Sequence, residues 1–528
     1  MQFSRSLRSS PQSLPSPDGQ HIAVLSSLSV INIRALRSLE LVNVIKLPPD
    51  FVGPVISFQW SPSSRLLLVA GPDQVRVWSA SDSTFHATIR HAMVPGTKPA
   101  HVGFGASDSE VCIISSFGLK FAVFDLKSSK AVEIASPKVF SPSSAYRCFS
   151  FRPQTQHLAL LTRVSGKDMI SIHSFPTRKL QRSWASETVD AQGLVWSPDG
   201  RWLVVWDSAA HGHTVVFYTS DGHLFKTWSG PANPSVEDRD FALGAGVKAL
   251  QFSPDAKRLA IGDSSRSVCI ISMTSAVTET MRLRHPKTLV SSETLQVWQE
   301  QIGTSQTGPA MHAFLRTTQV ISPAPRLQDN SEPVSGCTAV SFDPSSALVA
   351  TRLDDSPGTI WIWDLHAAEL RAVLLFHGNV TSLSWHPNVP ETLLIKCEGD
   401  QYNALVFVWD PLSEGPTSVD FGQHLPERKT TSSRHRISWL GLDVCTTPSL
   451  FFSDNHNFVL ACLAESDQVP PPWGDQEDLE PGFAEESREE SPLELVPAAE
   501  APSNAPDAVH ENGDEDFSEL EDTFVHKR

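Results

Sequence analysis

A six-residue cue recurs down the chain: an aromatic residue, Ser or a substitute, Pro, a small or acidic turn pair, and then a short apolar run. It reads LPSPDG at 14–19, QWSPSS at 59–64, SFRPQT at 150–155, VWSPDG at 195–200, QFSPDA at 251–256, SFDPSS at 341–346 and SWHPNV at 384–389. GFGASD at 103–108 is a degenerate copy, and ISWLGL at 437–442 begins a last one. From Trp60 through Phe104, Phe151, Trp196, Phe252, Phe342, Trp385 and Trp439 the steps are 44, 47, 45, 56, 90, 43 and 54 residues. A period near 45 residues excludes most ways of folding 528 residues into independent domains.

Each period has the same three parts. The aromatic closes one strand. Proline then removes a ladder donor and fixes φ while the following pair turns the chain, as in Trp60 and Pro62, Trp196, Pro198, Asp199 and Gly200, Phe252 and Pro254, Phe342 and Pro344, or Trp385 and Pro387. An apolar run follows (RLLLVAG at 65–71, RWLVVWD at 201–207), and then an alternating β-branched and aromatic run. Two of the latter, IWIWD at 360–364 and VFVWD at 406–410, end in Trp363-Asp364 and Trp409-Asp410. Four-stranded units at this period predict an all-β, WD40-type β-propeller of eight or nine blades in one ring, with two smaller rings as the alternative. Residues 273–335 span a double step but carry one plausible strand pair, and read as an inserted loop at about 275–335 after one blade. Closing the ring requires the chain ends to share a blade, so 14–36 is expected to pair near 449–463, with 1–13 a flexible N-terminus.

Charge divides the chain. The whole carries −17, and residues 465–528 hold 20 acidic and 3 basic residues, leaving 39 of each in 1–464. The body is electrically neutral, and 465–528 reads as a disordered acidic tail. This balance disfavours nucleic acid as a partner. No apolar run approaches the ~20 residues of a membrane-spanning helix, which excludes a transmembrane chain. The seven cysteines stand singly, without CxxC, and point to a reducing cytoplasm or nucleus.

No catalytic, cofactor or metal constellation emerges, so the chain reads as no enzyme. GAGVK at 244–248 lacks the remainder of a phosphate loop. His211, His213, His285, His377 and His386 are read as loop or capping residues rather than metal ligands. Asp199, Asp364 and Asp410 are read as turn residues. Within the tail, Phe517, Leu520 and Phe524 at i, i+3 and i+7 among acids have the spacing of a helix that docks in a partner's groove, beside the reading of a simple solvating tail. Ser491 before Pro492 is a candidate phosphosite.

The stretches LVWSPDGRWLVVWDSAAHGHTVVFYTSDGHLFKTWSG (194–230), GAGVKALQFSPDAKRLAIGDSSRSVCIISM (244–273) and AVSFDPSSALVATRLDDSPGTIWIWDLHAAELRAVL (339–374) resemble the centrosomal WD-repeat family of the WRAP type. The resemblance spans about 14–463. It implies a fungal member acting as a non-enzymatic adaptor at the microtubule-organising centre, a centrosome or spindle pole, within the cytoskeleton of the cytoplasm. Implied partners are a coiled-coil microtubule-anchoring protein and, in fungi, a minus-end-directed kinesin. The chain departs from the common WD pattern in mostly lacking Gly-His, with His377-Gly378 reversed. A propeller of the translation-initiation kind, binding ribosome or RNA, is the alternative from another functional class.

Overall fold

In the computed structural model the described residues are 1–473 apart from 27–28, 52, 83–84, 91–96, 141–147, 232–245, 275, 304–310, 324–335, 427–434, 442–446 and 465–472. They form nine sheets, each built on an antiparallel meander: the blades of a β-propeller. Their strands span 13–46, 57–90, 101–135, 149–185, 191–228, 247–284, 337–375, 380–420 and 436–462, and these are numbered one to nine. In blade five the strands are Ala191–Trp196, Trp202–Asp207, Val215–Thr219 and Leu224–Trp228. Sequence and burial agree across each blade. The second and third strands are near-continuous apolar runs buried on both faces, while the fourth alternates or is largely exposed.

The recurring cue is the turn between the first and second strands. Ser197 Oγ donates to Asp199 Oδ1 (2.5 Å) and accepts from the Trp202 amide (3.0 Å), while Asp199 Oδ1 accepts from the Arg201 amide (3.1 Å). Gly200 completes the turn at φ +67°. Ser253, Asp255 and Lys257 repeat these bonds, with Ala256 at φ +58° in the glycine's place. Short polar side chains thus satisfy the amides that the turn frees.

The first strands of neighbouring blades lie side by side next to the axis and are stapled to one another. The Trp60, Trp385 and Trp439 indoles donate to the carbonyls of Leu14 (3.2 Å), Ser341 (2.9 Å) and Ser384 (2.9 Å), each in the preceding blade. The cue turns also touch: the Asp18 amide donates to Ser64 Oγ, Arg152 Nε to the Gly200 carbonyl, and the Asp255 amide to Ser346 Oγ. Apolar clusters fill every junction between successive blades, and one joins blade nine to blade one through Phe451, Phe458 and Leu460 against Ile22, Val24 and Leu36. One ring of nine blades results.

Closure differs from the sequence expectation. Residues 13–46 complete blade one by themselves and have no strand to lend. The outer edge of blade nine is instead paired by Gln2–Phe3 and Leu7–Arg8, antiparallel to Asn457–Cys462. Phe3 stacks on His424 and meets Phe421 edge-on, and Leu7 packs into the cluster joining blades nine and one. The N-terminal residues are therefore the ring's clasp and not a flexible lead; Ser4, Arg5 and Ser6 between the two short strands hid their alternation.

The long step holds more than a loop. Thr278–Arg284 is still the fourth strand of blade six, so the insertion starts later than 275. Gln296–Gly303 runs parallel to Glu369–Leu375 on the outside of blade seven, and Met311–Arg316 pairs beyond it, giving that blade six strands. Beneath this hairpin lies the wholly buried Glu300 carboxylate. It accepts from the Tyr402 hydroxyl (2.8 Å) and the His377 amide (2.7 Å) and lies 2.6 Å from His312 Nδ1, tying the hairpin to the junction of blades seven and eight.

Candidate interaction face

Antiparallel strands bring the loops between second and third strands to the same end of the ring as the connections between blades. The cue turns occupy the opposite end. On the loop-bearing end, at blades three to five, Lys138 Nζ bridges Asp168 (2.9 Å) and Asp190 (2.7 Å), and Arg163 contacts the same two carboxylates (3.4 and 2.8 Å). Asp168, with a fully buried side chain, also accepts from the Ala191 amide (2.7 Å), and Asp207 accepts from the amides of Val189 and Asp190. The Lys138 hydrogen bond holds the Asp190 carboxyl below the usual carboxylate range. A buried charge is tolerable only when so surrounded, and this network fixes three connecting loops against one another.

Further round, Lys248 pairs with Asp354 (3.3 Å), Arg266 with Asp355, and His213 with Asp263 (3.0 Å). His285, in the connection after blade six, is buried with Nδ1 2.9 Å from the Arg266 carbonyl and Nε2 2.7 Å from Thr351 Oγ1, which also accepts from the Trp363 indole (3.0 Å). Because a carbonyl can only accept, Nδ1 carries the proton and Nε2 accepts from Thr351. Burial lowers the pKa of His285 to about 4. Arg178 and Glu110 make a second buried unit between blades four and three, Nε to Oε1 at 2.9 Å and Nη2 to Oε2 at 2.5 Å. Each of these groups is occupied by structural partners. Six cysteines are buried free thiols, and burial pushes Cys148, Cys269 and Cys337 up to about 12, where they are poor nucleophiles. Among the described residues no group of three or more His, Cys, Asp or Glu could hold a metal ion. No helix among them is long and apolar enough to cross a membrane.

The repeat residues singled out by sequence are dispersed around the ring. Trp60, Trp196, Phe252, Phe342 and Trp385 end buried first strands, and Pro62, Pro198, Pro254, Pro344 and Pro387 stand in the turns behind them. Trp363 and Trp409 are buried in third strands, with Asp364 capping the amides of His366 and Ala367 and Asp410 those of Leu412 and Ser413. Phe517, Leu520, Phe524 and Ser491 lie outside the described residues. The sequence reading overlooked the Lys138 network, since its members fall in four different segments, and it overlooked Phe117, an exposed aromatic in a connection rather than a strand.

No family model matches the chain. It is 25% identical over 418 residues to the WD repeat-containing protein WRAP73 of Mus musculus, a match covering 75% of this chain and 84% of the mouse protein. The chain is similar to WD-repeat proteins of the WRAP type. An uncharacterized WD repeat-containing protein of Schizosaccharomyces pombe is 24% identical over 388 residues, covering 72% of this chain and 74% of its own. Among solved structures, one titled as a eukaryotic initiation factor aligns with TM-score 0.48 and 12% identity over 80% of this chain and 96% of that one. The relatives and the nine-bladed ring support a WD-repeat scaffold.

Proposed function

We propose that the protein is a non-enzymatic adaptor at the microtubule-organising centre, in the cytoskeletal compartment of the cytoplasm, where it helps anchor microtubule minus ends and organise the spindle. Its proposed partners are a coiled-coil microtubule-anchoring protein and a minus-end-directed kinesin. The sequence resemblance to the WRAP type, extending over most of the ring, supports this placement. The observation that carries the binding role is the stitching of the ring: indole staples, touching turns and the Lys138 network hold loops from different blades in fixed relation. Loops already ordered lose less conformational entropy on association, so a stiff ring converts contact into affinity with less waste.

The deciding experiment is affinity purification of the tagged full-length chain, with and without residues 465–528, alongside fluorescence localisation. Co-recovery of a microtubule-anchoring protein and a focus at the spindle pole are expected. Recovery of ribosomal components alone would favour the translation-initiation reading and end this one.

A further inference from the structure

We infer that the loop-bearing end of blades three to five is a docking patch for an acidic, amphipathic helix of a partner protein. This deepens the scaffold reading and rests on it. The patch starts at Phe117, in the short turn Ser116–Gly118. Phe117 is 78% exposed and sits at φ 60°, ψ 13°. A bulky residue in left-handed backbone is sterically disfavoured, and an aromatic held in water forgoes its burial as well. Glycine would meet the backbone requirement without either cost. Strain and exposure combined in one aromatic side chain are what a binding anchor would show.

Phe117 has apolar company. Leu119 is 66% exposed and Val189 64%, and Val139 and Val164 are also exposed. The five are brought together by named contacts. A Cβ on Gly118 would collide with the Val139 side chain. The Ser136 amide donates to the Leu119 carbonyl (3.1 Å), Pro137 bridges Thr162, and the Arg163 amide donates to the Ser136 carbonyl (3.0 Å), which sets Val164 beside this loop. Arg163 reaches Asp190, next to Val189. Exposed apolar side chains gathered on adjacent, mutually tied loops mark an interaction site.

The surrounding charge selects the occupant. Ser116 Oγ donates to the Lys98 carbonyl (2.9 Å), putting exposed Lys98 beside Phe117, and exposed Lys167 follows the hairpin tip after Val164. Neither lysine has an ion-pair partner among the described residues, whereas Glu133 is paired with Lys120 and Asp190 with two cations. Apolar side chains in the centre with uncompensated ammonium groups at the margin fit a helix whose apolar stripe is flanked by carboxylates.

The test places a photo-cross-linking amino acid at position 119 of the full-length chain in its native cells and sequences the captured segment. A synthetic peptide of that sequence is then titrated against purified full-length protein. The inference expects a segment with apolar residues at i, i+3 or i+4, and i+7 and net negative charge. It expects affinity to fall about 10-fold or more in Phe117→Gly, as for a central anchor. Lys98→Glu with Lys167→Glu should weaken binding several-fold and flatten its salt dependence, while Leu412→Ala, at the opposite end, should leave it unchanged. Because Phe117→Gly relieves backbone strain, the unliganded variant should melt no lower than the parent. Capture of a basic segment, of lipid or of a second copy of the chain would overturn the inference, as would equal peptide affinity in Phe117→Gly or a lowered melting temperature that shows Phe117 to be structural. Partners bound equally by parent and variant would sink this patch yet spare the adaptor reading; a full-length chain with no partner would sink both.

Discussion

At the scale of single residues, the polar groups that resemble catalytic machinery are fasteners. His285 is the clearest, because its neutral ring is required by the Arg266 carbonyl on one side and the Thr351 hydroxyl on the other. Its folded pKa near 4 lies below the ordinary 6.5, so between those values the unfolded chain binds the extra proton. Stability from this residue is therefore full above about pH 6.5 and is lost as pH falls toward 4, by about 3 kcal/mol in all. Urea unfolding at pH 7 and pH 5 should show a smaller drop for His285→Gln than for the parent. His173 and His386, also lowered by burial, shift both proteins alike. Glu300→Ala should cost about 3 kcal/mol in the same assay, since it strands the Tyr402 hydroxyl and the His377 amide in the interior. Trp385→Phe keeps most of the ring's burial but loses the donor to Ser341, and should cost about 1 kcal/mol.

At the scale of elements, legibility followed how local each signal was. The cue turns were readable because the hydrogen bonds that shape each turn fall within five residues, from Ser197 to Trp202 for instance. The buried second and third strands were readable from their apolar runs. The clasp was not, because two-residue strands carry too little alternation to register and their partner lies at the far end of the sequence. The insertion's role was hidden for a similar reason: Glu300 acquires its meaning only from Tyr402 and His377, which belong to the next blade junction. The same holds for the candidate patch, whose members come from separate connections. Trimming residues 1–8 tests the clasp directly. It should lower unfolding free energy by about 3 kcal/mol from the burial of Phe3 and Leu7 alone, and Leu7→Asp in the intact chain should reproduce much of that loss.

At the scale of the molecule, charge and structure are partitioned. The neutral ring falls within a compact unit of Met1–Asp475, and the acidic excess lies almost wholly in 476–528. Removal of 476–528 should leave the thermal midpoint within about 2 °C of the parent, because a ring with 39 acids and 39 bases in 1–464 has no net charge for the acidic segment to act on at physiological salt. Scanning calorimetry of the two proteins checks this, and a fall of 10 °C would mean that the acidic segment is part of the fold.

The clasp also dictates an order of events in the cell. Residues 2–8 leave the ribosome long before Asn457–Cys462 and have no sheet neighbour until that strand, itself paired with Ser449–Ser453, is made. For most of its synthesis the chain is thus an arc with unpaired strands at its beginning and an uncovered apolar blade face at its growing end, the condition in which chains recruit partners from neighbouring molecules. A reading frame halted before the ninth blade never escapes that condition, so shortened products of this gene should appear as aggregates or be degraded rather than survive as smaller working rings.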